Sequence, residues 1–250
     1  MQPSAAMNDL IEQGYHLFRR YRVPARFNVC CHYCFSAEQQ RALRETSIRA
    51  VPFELMMAWN SSSNPEQQDS DEIRYLLPRL LELIAQREFP GIYAGICLRR
   101  VGETDIRRWR ADERLFLLHF GQQFMRDWLL PGDAVDLYLI LEMFWFGGLN
   151  IAPLLDTVLE EADYWATVSL AWLLCTYRST LTEGDSESES IAQQISVWVK
   201  HAQPLLTERA GQAIEVPMKQ SQYHAESALD TDSWMIDECL CAMHEGLWQS

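Results

Sequence analysis

A cluster of cysteines around a histidine near the start of the chain is the sharpest group of residues that could do chemistry. Cys31 and Cys34 are separated by two residues, and His32 stands between them. Thiolates and an imidazole are ligands that Zn²⁺ takes in tetrahedral sites. Such a site needs two further ligands, and Cys239 and His244 near the end of the chain would supply them.

The second half of that zinc site is poorly arranged, and we therefore expect no metal and no cofactor. Only one residue separates Cys239 from Cys241, which is poor geometry for two ligands on a helix, and the sequence has no second Cys-x2-Cys. The first cysteines also fit a hydrophobic turn between Phe27 and Phe35, as small buried thiols in a reducing cytoplasm. The sequence favours this second interpretation.

Motifs for hydrolysis and for phosphate binding are missing from the sequence. It contains no Gly-x-Ser-x-Gly, no glycine-rich phosphate loop and no His-Glu-x-x-His. Six histidines are scattered, and His119 lies in an apolar pattern with Leu115 and Phe120, which is typical of a core or boundary histidine. Adjacent carboxylates such as Glu160 and Glu161 point about 100° apart on a helix and so do not make a catalytic pair. The sequence therefore predicts that the protein is not an enzyme.

One basic patch surrounds Trp109. Its members are Arg99, Arg100, Arg107, Arg108 and Arg110. Stacking of nucleic-acid bases on Trp109 between arginines is one interpretation. We favour ion pairs with Asp and Glu of neighbouring helices, because the formal charge of the chain is -14. That charge also argues against nucleic acid as a ligand.

The acidity is concentrated in the second part of the chain. Residues 1–150 carry 17 Lys and Arg against 19 Asp and Glu, whereas residues 151–250 carry 4 against 16, which gives charges of -2 and -12. Because four cations are too few to pair internally with sixteen carboxylates, most of these carboxylates should face solvent or a basic partner.

Apolar residues recur at helical spacing along most of the chain, and alternation typical of strands is scarce. We expect an all-α protein of about ten helices, in an irregular bundle or a degenerate helical-repeat superhelix. Asn8 is the expected cap of the first helix, and Ser36 with Gln39 forms a capping box for the next. Pro78 should kink a helix or start a new one, and two helices should cover 191–202 and 205–214.

The expected organisation is a main helical domain over residues 1–181, an acidic linker over 182–190 and C-terminal helices over 191–250 packed on the main domain. The first ten residues lack the basic start and the apolar run of a secretory signal. The most apolar stretch, 134–151, is interrupted by Asp136 and Glu142, so we expect no membrane-spanning helix and no membrane partner. Together with the cysteine usage, these observations predict a cytoplasmic protein.

Two segments in the first 90 residues resemble a family of uncharacterised bacterial proteins. The first is Tyr21-Arg22-Val23-Pro24 with the cysteine-rich stretch after it, and the second contains Leu-Pro-Arg-x-Leu-Glu-Leu over residues 77–83. In physical terms Pro78 fixes a helix start or kink, while Arg79 and Glu82 can pair on one helix face. Members of the family that it resembles are often encoded near polymorphic or contact-delivered toxins, where a small acidic protein typically serves as the cognate immunity factor.

The resemblance implies an immunity or antitoxin protein that binds a cognate toxin domain and occludes its surface or active site. The charge of -12 in residues 151–250 predicts that this toxin domain is basic. A helical adaptor for another cytoplasmic protein and an enzyme that uses His119 with nearby carboxylates are the alternatives. The expected contacts are acidic residues of the linker and of the last helix, with a tryptophan as apolar anchor. They are Glu183, Asp185, Glu187, Glu189, Asp230, Asp232, Asp237 and Glu238, with Trp234 or Trp248 as the anchor.

Overall fold

The computed structural model describes residues 2–30, 34–62, 70–129, 135–161, 163–180, 186–215 and 233–246, without the side chains of 177–180, 186–190 and 233–234. Within these ranges the chain is all-α, as predicted, with no β-strand. The helices are α1 (Ala5–Phe18), α2 (Ala37–Glu45), α3 (Phe53–Ser61), α4 (Ser70–Ala85), α5 (Arg99–Gly102), α6 (Ala111–Trp128), α7 (Leu137–Phe146), α8 (Ala152–Glu160), α9 (Tyr164–Thr180), α10 (Ser186–Glu215) and α11 (Ser233–Glu245). Short 3₁₀ turns cover Ile48–Ala50, Ala94–Ile96 and Ile106–Arg108.

Helix starts show how local side chains set the boundaries. The predicted capping box of α2 is confirmed, because Ser36 Oγ accepts the Gln39 N–H at 3.1 Å and Gln39 Oε1 accepts the Ser36 N–H at 2.8 Å. The predicted cap of α1 is wrong. Ser4 accepts the Met7 N–H at 3.1 Å and starts the helix four residues before Asn8, which therefore lies inside α1.

Two prolines lie inside helices rather than at their starts. Pro78 is buried within α4, which runs from Ser70 to Ala85 as one helix. Pro204 lies within α10, so the two helices predicted over 191–202 and 205–214 form a single one that begins at Ser186. Residues 186–190 of the predicted linker belong to this helix, and residues 182–185 lie outside the described residues.

The chain divides into two compact units. Unit 1 comprises residues 1–124 and 142–149, and unit 2 comprises residues 125–141 and 150–250. The domain bounds expected from the sequence stay a prediction.

None of the helices in the described ranges combines the length and the hydropathy that a bilayer crossing needs.

In unit 1, α4 packs against α1 and against the 3₁₀ turn at Ile48–Ala50. The residues on both sides of the cysteine cluster are anchored in this core, since Phe27 and Phe35 are buried with their rings edge to face at 6.3 Å.

A close backbone approach occurs where α5 meets the end of α7. A Cβ atom on Gly102 would overlap the carbonyl oxygen of Phe146, so only glycine fits there.

In unit 2, helices α9, α10 and α11 pack against one another, and α8 packs on α9 and α10. The core of this unit is apolar. Its fully buried side chains include Leu154, Leu155, Val158, Leu170, Ile195, Leu206 and Leu240. Burial of this apolar surface is the main force that holds the four helices together.

Candidate functional site

The structure describes the side chains of two of the predicted partner-binding residues. Asp237 and Glu238 are both exposed on α11, as a partner surface requires. Glu187 and Glu189 lie in α10 and Trp234 lies in α11, but their side chains are outside the described part. The remaining predicted contacts fall outside the described residues, and these are Glu183, Asp185, Asp230, Asp232 and Trp248.

Unit 2 presents many carboxylates to solvent. Nine exposed ones have described side chains, namely Asp136, Asp156, Glu160, Asp163, Glu208, Glu215, Asp237, Glu238 and Glu245. Among the described side chains of unit 2, Lys200 and Arg126 are the only exposed Lys or Arg, and Arg126 lies 3.8 Å from Glu160 and 3.7 Å from Glu161. This imbalance leaves a surface with a strongly negative potential.

Arg209 does not neutralise that surface, because its guanidinium is used inside the unit. It donates to the carbonyl oxygens of Leu159 at 2.6 Å and Asp163 at 3.1 Å, and to Thr167 Oγ1 at 2.6 Å. A further bond of 3.2 Å reaches the carbonyl oxygen of Val158. Burial lowers the pKa of Arg209 from its ordinary value. The arginine therefore satisfies carbonyl groups at the end of α8.

The cysteine cluster is placed differently from the buried-thiol prediction. Cys30 and Cys34 are exposed, because the neighbouring phenylalanines fill the core, while Cys31 and His32 lie outside the described residues. At the other end, Cys239 is buried, and a hydrogen bond with Cys175 together with burial raises its pKa. Within the described ranges, no group of three or more His, Cys, Asp or Glu side chains could hold a metal ion.

The arginines around Trp109 form ion pairs, as predicted, but mostly with acids of their own segment. The distances are 3.3 Å for Arg99–Glu103, 3.1 Å for Arg100–Glu72, 2.8 Å for Arg107–Asp105, 3.1 Å for Arg108–Asp105 and 3.0 Å for Arg110–Asp112. Trp109 is 3% exposed, and its Nε1 donates to Thr104 at 3.0 Å. It therefore offers no stacking platform for nucleic-acid bases.

A buried ion pair joins α4 to α5 in unit 1. Glu72 Oε1 accepts Trp59 Nε1 at 2.7 Å and lies 3.1 Å from the guanidinium of Arg100. Glu72 Oε2 accepts the backbone N–H of Asn28 at 2.7 Å. Both charged side chains are 1% exposed, and burial lowers the pKa of Arg100 to about 10. Four segments of unit 1 therefore depend on one carboxylate.

A second carboxylate, Glu113, is fully buried near the start of α6. It accepts the Tyr21 hydroxyl at 2.6 Å and the Arg110 N–H at 3.2 Å, and Arg74 Nε lies 3.4 Å away. Burial and the bond to Glu113 raise the pKa of Tyr21 to about 12. Tyr21 is therefore fixed as a neutral donor at neutral pH.

A third carboxylate, Glu82, fixes Tyr15. The Tyr15 hydroxyl and the Arg79 guanidinium both donate to Glu82 Oε2 at 2.6 Å. Arg49 covers the Tyr15 ring, with its guanidinium carbon 3.8 Å from the ring centroid, and makes two bonds of 2.6 and 2.7 Å to Glu12. The predicted pair of Arg79 with Glu82 is thus confirmed, and it positions an aromatic ring.

These two anchored tyrosines form part of a groove of about 670 Å³ beside α1, which we name the α1 groove. Its polar lining consists of Glu12, Tyr15, His16, Arg19, Tyr21, Arg22, Ser47, Arg49 and Tyr75. Pro78 lines it as well, so residues from both segments that carry the family resemblance lie at this groove or hold its tyrosines. The chemistry it offers is guanidinium and hydroxyl donors over aromatic rings.

The basic segment that supplies Arg19 and Arg22 to the α1 groove is visible in the sequence, although charges summed over 150 residues conceal it. Residues 13–37 contain Arg19, Arg20, Arg22 and Arg26 and no Asp or Glu. A shorter window would have found this basic segment in an acidic chain. Tyr75 and Ser47 reach the groove through tertiary packing, for which the local pattern gives no signal.

A second cavity, of about 570 Å³, lies between α1 and α6. His16, Leu17, Leu115, Phe116 and His119 line it. The expectation that His119 is a core or boundary histidine is wrong, because both His119 and Leu115 are exposed. The apolar pattern of α6 faces inward through Phe116, Leu117 and Phe120 instead.

Comparison of the chain with protein-family models, with curated proteins and with solved structures found no match, so the fold and the candidate sites rest on the residues of this chain alone.

Proposed function

We propose that the chain is an immunity-type protein, which binds a basic domain of a cognate bacterial toxin through the acidic surface of unit 2 and so occludes it. The observation that supports this most directly is the set of nine exposed carboxylates in unit 2, against two exposed cations, Arg126 and Lys200, among its described side chains. Binding of this kind needs a complementary surface and no catalytic group.

The acidic surface acts mainly on the rate of encounter. A field of one sign steers a basic partner and speeds association, and it selects against acidic partners. Each exposed carboxylate adds little to affinity, because its interaction is screened over about 8 Å at physiological ionic strength. The binding free energy must then come from apolar contacts near the centre of the interface.

The described part of α10 offers such apolar contacts. Val197 and Leu205 are 51% and 53% exposed, and they lie two turns apart on the same helix. Glu208, Asp237 and Glu238 are exposed on α10 and α11, which pack together. Apolar anchors with a charged rim are the composition expected of a protein interface.

The test uses a toxin domain encoded beside the gene, co-expressed with the chain and then purified. The chain should protect the cell from the toxin, and the complex should associate more slowly as salt is raised. Reversal of Glu208, Asp237 and Glu238 to Lys should slow association at low salt by about tenfold and flatten the salt dependence.

The matched control is reversal to Lys of Asp9, Glu45 and Glu88, which are exposed carboxylates of unit 1. It changes the net charge of the chain by the same amount and should leave most of the association rate intact. Equal rates for the two triple variants would show that the acidic surface of unit 2 does not dock the toxin. Binding without protection would replace the immunity function by that of an adaptor.

A further inference from the structure

The α1 groove has the opposite charge character from the surface proposed above and lies in the other unit. Arg19 and Arg22 line it and come from the run of residues 13–37, which holds four arginines and no carboxylate in a chain of charge -14. Glu12 is the one carboxylate in its lining, and it is paired with Arg49 at 2.6 Å. We propose that the α1 groove is a second binding site, which takes an acidic peptide segment of a partner protein. The proposal stands independently of the acidic surface of unit 2.

Two guanidinium groups at the groove are available to a ligand. Arg19 and Arg22 are exposed, and neither lies within ion-pair distance of a carboxylate of the described residues. Other arginines nearby are occupied, since Arg49 binds Glu12 at 2.6 Å and Arg20 lies 3.7 Å from Asp112. The free pair can therefore accept carboxylates from outside the chain.

Two hydroxyl groups add neutral donors to the same groove. Tyr75 is half-buried, and its hydroxyl has no hydrogen-bond partner among the described residues. Burial raises the pKa of Tyr75, so the hydroxyl keeps its proton at neutral pH. Ser47 is exposed, and its side chain makes no capping bond to the 3₁₀ turn that follows it.

The floor of the groove is fixed before any ligand arrives. Tyr15 and Tyr21 each donate a 2.6 Å hydrogen bond to a carboxylate, from Glu82 and Glu113. Rings held in this way lose little freedom on binding, which lowers the entropic cost of association. Tyrosine and arginine are also the residue types that most often dominate protein-binding surfaces.

The placement of the charges favours a peptide over a small anion. Arg19, Arg22 and His16 line the groove and are exposed, so the groove is open to solvent and is not a closed pocket. Small ligands usually lose most of their surface to an enclosing site. A peptide with several carboxylates can span an open groove, and its apolar side chains can contact Val23, which is exposed in the groove lining.

The experiment measures fluorescence anisotropy of a labelled peptide of four Glu-Glu-Leu repeats with the full chain. Saturable binding is expected. Reversal of Arg19 and Arg22 to Glu should raise the dissociation constant by about tenfold, because two attractive pairs become repulsive. The matched control is reversal of Arg41 and Arg114 to Glu, both exposed in unit 1 and away from the groove, which should change it by less than about twofold.

A smaller variant keeps the proposal testable if the double reversal perturbs folding. Tyr75→Phe removes only the hydroxyl and should weaken binding about threefold while the helical circular dichroism stays unchanged. Equal peptide affinity in the groove and control variants, or in wild type and Tyr75→Phe, would overturn the proposal. Tighter binding of an oligouridylate, or displacement of the peptide by millimolar inorganic phosphate, would replace the peptide by another anion and overturn it too.

Discussion

The two units bury different kinds of polar group. Unit 1 places charges in its interior, namely Glu72, Arg100 and Glu113, each at most 1% exposed. Among the described residues, the buried polar side chains of unit 2 are the hydroxyls of Thr157, Thr167 and Ser169. Its carboxylates with described side chains are exposed or half-buried.

The difference shows two ways to use charge in one chain. A buried ion costs several kcal/mol of desolvation, so it persists only where partners meet it on several sides, as Trp59 and Arg100 meet Glu72. Such a site holds specific segments together. An exposed carboxylate costs little and contributes little to stability, but it contributes to the field that a partner meets. Unit 1 should therefore be sensitive to single charge changes, and unit 2 should tolerate them.

The largest expected effect is that of Glu72→Gln. It leaves the Arg100 guanidinium buried without its carboxylate, and we expect the free energy of unfolding to fall by about 4 kcal/mol. Urea denaturation followed by circular dichroism measures the change. The exposed Glu160→Gln in unit 2 is the control and should change stability by less than about 0.5 kcal/mol. Similar values for the two variants would remove the contrast between the units.

In unit 2 the comparable loss should come from an apolar truncation. Leu206 on α10 is fully buried, and Leu206→Ala should cost about 3 kcal/mol through lost burial and the cavity left behind. Its neighbour Leu205 is 53% exposed, so Leu205→Ala should cost less than about 1 kcal/mol in the same denaturation experiment. A larger loss at Leu205 would mean that the described core of unit 2 is wrong.

An intermediate effect is expected at Arg209, the cation that unit 2 uses internally. Arg209→Met keeps much of the side-chain length but removes the bonds to the carbonyl groups of Val158 and Leu159. We expect a loss of about 2 kcal/mol, because hydrogen bonds to charged groups are stronger than neutral ones. Lys200→Met on the exposed side of α10 is the matched control and should be nearly neutral. Equal melting temperatures would contradict the structural role of Arg209.

The smallest expected effect is a pH dependence in unit 1. The pKa of Tyr21 is raised from 10 to about 12, so the unfolded phenol ionises first as the pH rises. Its contribution to stability is therefore complete below pH 10 and is lost as the pH rises toward 12. Because Tyr21 is partly exposed, we expect about 1 kcal/mol at most.

The measurement for Tyr21 compares the wild type with Tyr21→Phe at pH 8, 10 and 11. The loss of stability above pH 10 should be smaller in the variant, and absorbance at 295 nm should lose one late-titrating tyrosine. Arg100 has an opposite effect on stability, because its pKa is lowered to about 10 and its loss of charge above that pH removes a desolvation cost. This effect is the same in the wild type and in Tyr21→Phe, so the comparison cancels it. Parallel pH curves for the two proteins would show that the Glu113 bond does not hold the Tyr21 proton.

Local signals in the sequence predicted the parts of the fold that depend on neighbours in the chain. The capping box at Ser36 and the i,i+3 pair of Arg79 with Glu82 needed only helix geometry. Pro204 misled the prediction because a proline usually ends a helix. It lies on the exposed side of α10, where water can bond the carbonyl group that loses its partner.

The sites were harder to predict, because their residues meet only in the folded chain. Glu72 opens α4 like an ordinary solvated first-turn acid, and only its contact with Arg100, 28 residues away, reveals a buried ion pair. Asp237 and Glu238 were predicted as partner contacts from charge alone; both are exposed, and their role in binding stays a prediction. The α1 groove was missed because its residues are distant in the sequence. Tyr75 lies in α4, whereas Arg19 follows the end of α1.

Position 102 of this chain can hold only glycine. Every side chain has a Cβ, and a Cβ there would collide with the backbone carbonyl of Phe146, which cannot rotate away as a side chain can. Gly147 is less restricted, because the nearest atoms to its added Cβ, which are the Cβ of Leu98 and the backbone oxygen of Phe144, lie at 3.1 Å and would need to shift by only a few tenths of an ångström. A library of all amino acids at each position should therefore return only glycine at 102 but accept alanine at 147. Selection for growth or solubility would then detect the α5–α7 contact without a structure.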